Sequence, residues 1–149
     1  MLFEYNNHLA AHNPNLMFIT TFIAVYHPDT MTLCYANAGH NYPYLLSDRL
    51  IKLDETGGMM AGVFAGEQFP EYTVPLKAGD KLFLYTDGVT EAQDKDGGFF
   101  GEERLEKTLL NNKDSSAEGL VNAVTAEINE FAKGAEQEDD ITMLALQIK

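Results

Sequence analysis

Runs of apolar residues divide the chain into short strands followed by helices near its C-terminal end. Two runs rich in β-branched and aromatic residues predict a hairpin, in which 17–26 pairs with 31–36. The apolar pattern resumes at 42–46, and residues 47–49 make a tight connection to 50–53. Residues 71–76 and 81–86, joined by the turn sequence at 77–80, predict a further hairpin. The first part of the chain is therefore predicted to be mainly antiparallel sheet.

Helical spacing of apolar residues appears at three places. Residues 1–12 and 104–110 follow this spacing, and a longer amphipathic segment begins at Ser115, whose hydroxyl is placed to cap the helix with Glu118 three residues on. The apolar positions of that segment end before Gly134, a residue typical of helix C-termini. Together with the strands, these helices predict an α+β fold.

One strand runs directly into an acidic step. Leu82, Phe83 and Leu84 form a continuous apolar run, which is typical of a strand buried on both faces. Asp87 and Gly88 follow where that run ends. A carboxylate at this position is held by a rigid element, and the glycine allows a ligand or another backbone to approach closely.

A second acidic segment has the mirrored arrangement. Residues 138–140, which include Asp139 and Asp140, come directly before the apolar run 141–146. If 81–86 and 141–146 pair antiparallel, the two acidic segments meet at one end of the sheet. Carboxylates brought together repel unless a proton or cation lies between them, which favours a divalent metal. Asp and Gly are also common in ordinary turns, so both interpretations remain open at this stage.

Composition limits the classes of partner. The 149 residues suit one domain, with 45% hydrophobic and 22% charged residues. A net charge of −13 argues against binding of nucleic acid and against contact with anionic membranes, because both require clustered Lys and Arg. No segment is apolar and long enough to span a bilayer, and residues 1–13 lack the features of a signal peptide, so we expect a cytoplasmic protein.

Two polar segments between strands are candidates for a binding or structural role. His40 and Asn41 follow Gly39 in a bend between strands; an imidazole there is able to act as acid, base or phosphate contact, and the simpler role is to hold the bend by hydrogen bonds. Residues 94–98 resemble the start of a calcium loop, but the glycine falls at the fourth position instead of the sixth. We therefore predict a turn there.

Several motifs, taken together and in order, resemble the SpoIIE-like branch of the protein phosphatase 2C family, which are bacterial metal-dependent serine/threonine phosphatases. They cover nearly the whole chain: Met-Phe-Ile-Thr at 17–20, Tyr-Ala-Asn-Ala-Gly-His-Asn at 35–41, glycines at 57–58 with Gly-Val at 62–63, Tyr-Thr-Asp-Gly-Val-Thr-Glu-Ala at 85–92, Phe-Gly at 100–101 and Asp-Asp-Ile-Thr at 139–142.

The resemblance implies a site that hydrolyses phosphate esters with two Mn²⁺ or Mg²⁺ ions. It assigns Asp87, Gly88 and Asp139 to the metal site, and it gives Asp140 and the motif of His40 and Asn41 supporting or structural roles. The implied substrate is a phosphoserine or phosphothreonine protein, such as an anti-anti-sigma-like partner.

One departure from the family pattern changes the expectation. The family's first metal-binding aspartate, followed by a Gly-His-Gly or Gly-Lys-Gly segment, has no counterpart in residues 1–149. We therefore expect a single SpoIIE-like domain, a truncated α-β-β-α layered sandwich without its N-terminal strands, that binds metal weakly on its own and self-associates through an exposed sheet edge. The alternative is a catalytically inactive phosphatase-like interaction domain, whereas an unrelated single-metal hydrolase would need further ligands.

Overall fold

Six strands precede the three C-terminal helices, as the apolar pattern predicts, in a computed structural model that describes residues 2–55, 59–137 and 139–149. The chain divides into two units, one made of Met1–Tyr42 and Leu53–Lys77 and the other of Pro43–Lys52 and Ala78–Lys149. The elements are α1 (Leu2–Ala11), β1 (Thr21–His27), β2 (Thr32–Ala38), β3 (Tyr44–Leu46), β4 (Leu50–Lys52), β5 (Tyr72–Pro75), β6 (Lys81–Tyr85), α2 (Asp87–Thr90), α3 (Gly101–Asn111), α4 (Ala117–Phe131) and β7 (Met143–Gln147).

The first unit contains α1 and an antiparallel sheet in the order β1-β2-β5. Small and apolar side chains of β2, including Ala36 and Ala38, pack with Leu2 of α1 in its core. Asn6 of α1 is fully buried, and its side chain accepts a hydrogen bond from Gly62 N and donates one to Phe64 O, both at 2.8 Å. These bonds satisfy the buried amide, so they attach the loop after residue 60 to the helix.

The second unit contains a four-stranded antiparallel sheet in the order β4-β3-β6-β7. Its core is formed by Phe83 and Tyr85 of β6 packed with side chains of α3 and α4, such as Leu105, Leu120 and Val124. β6 has a strand on each side and is almost entirely buried, as its continuous apolar run predicts. This strand therefore forms a rigid support for the residues that follow it.

The α+β prediction, with mainly antiparallel strands and C-terminal helices, is confirmed. The predicted hairpin of β1 with β2 forms, and β3 pairs with β4 across the tight connection at 47–49. The prediction that the first strand includes residues 17–20 is wrong, because β1 begins at Thr21. Of residues 17–20, only Ile19 makes a β-bridge, to Ala61. The N-cap of the last helix was predicted one residue too early, at Ser115. Ser116 caps α4, because its hydroxyl accepts a hydrogen bond from Gly119 N at 3.1 Å.

The hairpin predicted from 71–76 and 81–86 is wrong. β5 pairs with β2 in one sheet, whereas β6 pairs with β3 and β7 in the other. The turn residues at 77–80 reverse the chain without pairing the strands that they connect, because each strand has longer-range partners in its own sheet. Gly57 and Gly58, which the sequence assigns to a loop, lie outside the described residues.

None of the helices in the described residues is both long enough and apolar enough to cross a bilayer.

Candidate functional site

The first acidic step lies at the end of the buried strand β6. Asp87 begins the short helix α2; its side chain is exposed, whereas Gly88 is buried. The Asp87 carboxylate accepts a hydrogen bond from Gly88 N at 3.1 Å. The main-chain carbonyl oxygen of Asp87 accepts one from Glu91 N at 2.8 Å. The helical turn that follows thus fixes the backbone from which the carboxylate projects into solvent.

The second acidic segment lies beside the first. β6 and β7 pair antiparallel with Tyr85 opposite Met143, so the C-terminal end of one strand meets the N-terminal end of the other. Thr86 extends this pairing, because its N–H donates to Thr142 O at 3.0 Å and its hydroxyl donates to Asp140 O at 3.1 Å. The same hydroxyl accepts from Thr142 N at 3.0 Å. Three hydrogen bonds therefore attach the 140–142 backbone to one threonine.

Gly88 and Asp140 are in close backbone contact. A Cβ atom added at residue 88 would lie 2.5 Å from the Asp140 carbonyl oxygen and 3.5 Å from that of Asp139. Carbon and oxygen do not approach this closely without a bond, so any side chain at residue 88 would displace the acidic segment. The requirement for glycine in the Asp-Gly step is thus a packing requirement of this site.

A pocket of about 150 Å³ opens at this junction. Its lining combines residues of the two segments with residues that sequence reasoning did not single out: Gly88, Glu91, Ala92, Gln93, Phe99, Gln137 and Asp139. The sequence signal for Glu91 was its place in the motif at 85–92, but Phe99 and Gln137 are brought here by the fold alone. The pocket gives a small ligand access to the edge of the acidic junction.

The donors at this junction are of the kind that Mg²⁺ and Mn²⁺ prefer, since all are carboxylate or carbonyl oxygens. The side-chain ligands are too few for a complete metal site, because in the described ranges no group of three or more His, Cys, Asp or Glu side chains is arranged to hold a metal ion. Asp87 follows the C-terminal end of β6 and Asp139 precedes the N-terminal end of β7, and the Gly88 backbone lies close to the Asp140 carbonyl oxygen. The residues therefore fit a divalent cation in chemistry and supply part of a ligand set.

His40 and Asn41 belong to the first unit, separate from the unit that carries the acidic junction. The bend there is closed by Asn37, whose side chain accepts from His40 N at 2.8 Å and donates to His40 O at 2.9 Å. Gly39 has a positive φ of 73°, and an added Cβ would lie 2.9 Å from the Met60 side chain. The sequence analysis quoted Asn37 only as part of the motif at 35–41, and the structure adds that its side chain closes this bend.

The acidic residues at 94–98 form the turn that the sequence predicts. The Asp94 carboxylate accepts main-chain hydrogen bonds from Gly98 N at 2.8 Å and from Asp96 N at 2.9 Å. Its own N–H donates to Gly98 O, and Gln93 bridges to Phe99. The side chain of Asp94 is thus directed into its own turn.

These hydrogen bonds give a testable pH dependence. The main-chain N–H groups of Gly98 and Asp96 lower the pKa of the Asp94 carboxyl below its ordinary value. Because the folded-state pKa is the lower one, the turn is stabilised above about pH 4 and this stabilisation is lost as the pH falls through the folded-state pKa. We expect the Gly98 amide to exchange faster at about pH 2 than the intrinsic rate change explains, and Asp94→Asn to remove that extra change. Equal protection of this amide at both pH values would contradict the assignment.

Comparisons with known proteins identify the family and relatives of this chain. A family model described as Stage II sporulation protein E (SpoIIE) matches residues 1–149. Protein IcfG of Synechocystis sp. is 34% identical over 144 residues, which cover 95% of this chain and 22% of that protein. Phosphoserine phosphatase RsbU of Bacillus subtilis is 30% identical over 135 residues, which cover 89% of this chain and 40% of RsbU.

Solved structures show the same fold. The SiaA-PP2C domain of Pseudomonas aeruginosa superposes with a TM-score of 0.72 at 24% identity, covering 86% of this chain and 51% of that chain. The chain spans less than half the length of IcfG and of RsbU. With the family model matching residues 1–149, and with the ordered motifs placed on the strand ends described above, the chain belongs to the SpoIIE-like branch of the protein phosphatase 2C family.

Proposed function

We propose that this chain forms part of the catalytic domain of a metal-dependent protein phosphatase that removes phosphate from serine or threonine in bacterial partner-switching signalling. The observation that carries this proposal is the junction of residues 86–88 with 139–142, where two acidic segments distant in sequence are fixed against each other. Family membership supports the class of reaction, and the name of RsbU, a phosphoserine phosphatase, supports the class of substrate.

In this proposal Asp87, Gly88 and Asp139 contribute oxygen ligands to Mn²⁺ or Mg²⁺. A divalent ion of this kind, when bound, lowers the pKa of a water molecule and neutralises charge on the phosphoryl group. Thr86 contributes by positioning, because its hydroxyl fixes the Asp140 carbonyl and the Thr142 N–H. Asp140 thereby supports the segment that carries Asp139.

We propose structural roles for His40 and Asn41, and we place the site entirely in the second unit. The hydrogen bonds of Asn37 to the His40 backbone support that role. The expected substrate is a phosphorylated anti-anti-sigma-like protein in the cytoplasm, and the high negative charge of the chain, −13, supports a protein substrate over a nucleic acid.

The ligand set is short of a complete metal centre, so we expect the 149-residue chain to bind Mn²⁺ weakly and to turn over p-nitrophenyl phosphate slowly. Asp87→Asn should lower the remaining Mn²⁺ affinity at least about tenfold, equivalent to about 1.4 kcal/mol, because one anionic ligand is lost. Calorimetry with Mn²⁺ and turnover of p-nitrophenyl phosphate measure the two quantities.

Asp114→Asn is the matched control, because it makes the same charge change at an exposed residue of the same unit. It should leave Mn²⁺ affinity unchanged. Equal loss in the two variants would mean that only general charge attracts the ion. Mn²⁺ binding that is insensitive to Asp87→Asn would favour the alternative, a phosphatase-like interaction domain without chemistry at this junction.

A further inference from the structure

Two histidines lie one helical turn apart at the C-terminal end of α1. His8 belongs to the helix and His12 directly follows its last residue, Ala11. Both histidines are exposed, whereas the buried residues of this helix are Leu2 and Asn6. The centroids of the two imidazole rings are 4.8 Å apart, and the ring planes are inclined at 42°. Residues four apart on a helix share one face, so both rings are presented on the same side of α1.

A hydrogen bond determines which nitrogen of His12 carries a proton. His12 Nδ1 lies 2.9 Å from the main-chain carbonyl oxygen of His8. A carbonyl oxygen can only accept a hydrogen bond, so Nδ1 is the donor and holds a proton. In the neutral ring the lone pair is then on Nε2, the nitrogen that can bind a metal ion. Metal-binding histidines in proteins commonly have this arrangement, in which a carbonyl oxygen orients the ring through its other nitrogen.

The charges around the pair favour a cation. The C-terminal end of a helix carries partial negative charge, and both rings are at that end of α1. Glu4 lies one further turn toward the start of the helix and is exposed, so it adds a full negative charge near the pair. The first Lys or Arg of the sequence is Arg49, so residues 1–48 carry neither of these cations.

Imidazole nitrogen selects a different class of metal from the oxygens of the acidic junction. Nitrogen ligands suit Zn²⁺, Cu²⁺ and Ni²⁺, whereas Mg²⁺ and Mn²⁺ prefer carboxylate and carbonyl oxygens. Within the described part of the chain, no third His, Cys, Asp or Glu completes a ligand set with the pair. Both rings border a cavity of about 230 Å³, which has room for water molecules as the remaining ligands.

We propose that His8 and His12 together bind a divalent transition-metal ion of the imidazole-binding class, represented by Zn²⁺. The ion is held by Nε2 of His12 and a ring nitrogen of His8, with water in its remaining positions. The ring separation and the anchoring of His12 are set by contacts within residues 8–12, so they hold whatever precedes or follows this chain. The site lies in the first unit, and it does not rest on the proposed phosphatase function of the second.

Titration of the 149-residue chain with Zn²⁺, followed by the imidazole signals in nuclear magnetic resonance spectra, tests the proposal. The signals of His8 and His12 should shift together and saturate at one Zn²⁺ concentration, while those of His27 and His40 stay in place. Mn²⁺ at the same concentrations should leave the signals of the pair sharp, because Mn²⁺ is the weakest binder of nitrogen ligands in this series.

Two variants test whether the histidines act as a pair. His8→Gln removes one ring and leaves the main-chain carbonyl that anchors His12, whereas His12→Gln removes the anchored ring itself. Each should lower the Zn²⁺ affinity, read from the signal of the remaining histidine, at least about tenfold, because a single ligand is left. Both residues are exposed, so the far-ultraviolet circular dichroism should match that of the unchanged chain.

His27→Gln is the matched control, because it makes the same change at an exposed histidine of the same unit. It should leave the Zn²⁺ affinity of the pair unchanged. The proposal is overturned if Zn²⁺ shifts only one of the two rings, if the control loses as much affinity as His12→Gln, or if neither ring responds at about 1 mM Zn²⁺. In the last case the bond from His12 to the His8 carbonyl serves only to cap the end of α1.

Discussion

Replacing Phe83 with alanine should cost about 3–5 kcal/mol of the free energy of unfolding, which is a large part of the total for a small domain. Phe83 is completely buried in the core of the second unit, and its ring lies 6.2 Å from that of Tyr85 on the same strand. The substitution leaves a cavity under β6, the strand that supports Asp87. Urea denaturation followed by circular dichroism measures the loss.

Phe99→Ala makes the same change in the same unit at a side chain that is 59% exposed, and it should cost less than about 1 kcal/mol. The contrast between the two variants tests burial, because the atoms removed are identical. Comparable losses in both would mean that the core of this unit does not centre on β6.

Gly88→Ala should separate the two acidic segments. The added Cβ meets the Asp140 carbonyl oxygen at 2.5 Å, so the backbone at 139–140 must move, at a cost of about 1–3 kcal/mol. We also expect the hydrogen bonds of Thr86 to Asp140 and Thr142 to weaken, and Mn²⁺ affinity to fall. Faster amide exchange at Thr142, together with calorimetry, reports both effects.

Gly79→Ala is a suitable comparison, because an added Cβ there meets no atom within 4 Å. Its positive φ of 92° makes alanine strained, so it also lowers stability by about 1–2 kcal/mol. Only the Gly88 variant should change Thr142 exchange and Mn²⁺ affinity. If the Gly79 variant changes them equally, the effect comes from general destabilisation and not from the junction.

The acidic junction was predictable because two local patterns determine it. A continuous apolar run followed by Asp87, and an acidic pair followed by another apolar run, require only antiparallel pairing to meet, and β6 and β7 pair in that way. The contribution of Thr86 was not predictable. Its hydroxyl bonds to residues 54 and 56 positions away, and no local pattern indicates such a contact.

Strand partnership was harder to predict than strand position. The turn residues at 77–80 indicated a hairpin, but β5 and β6 pair in different sheets. Turn residues indicate where the backbone reverses direction. Which strands pair depends instead on which of their apolar faces are buried together. The role of Asn37 was also not predictable from the sequence. It is a polar residue in a strand-like run, and it closes the bend at residues 37–40 because the fold buries its side chain there.

Paramagnetic line broadening by Mn²⁺ tests the central claim most directly, because it locates a bound ion even at low occupancy. In amide spectra of the isotope-labelled chain, we predict that the signals of Asp87, Gly88, Asp139 and Asp140 broaden together, at Mn²⁺ concentrations that leave the acidic turn at 94–98 sharp. Asp87→Asn should remove the broadening from both segments. Broadening confined to one segment, or appearing first at 94–98, would show that the two acidic segments do not share a cation.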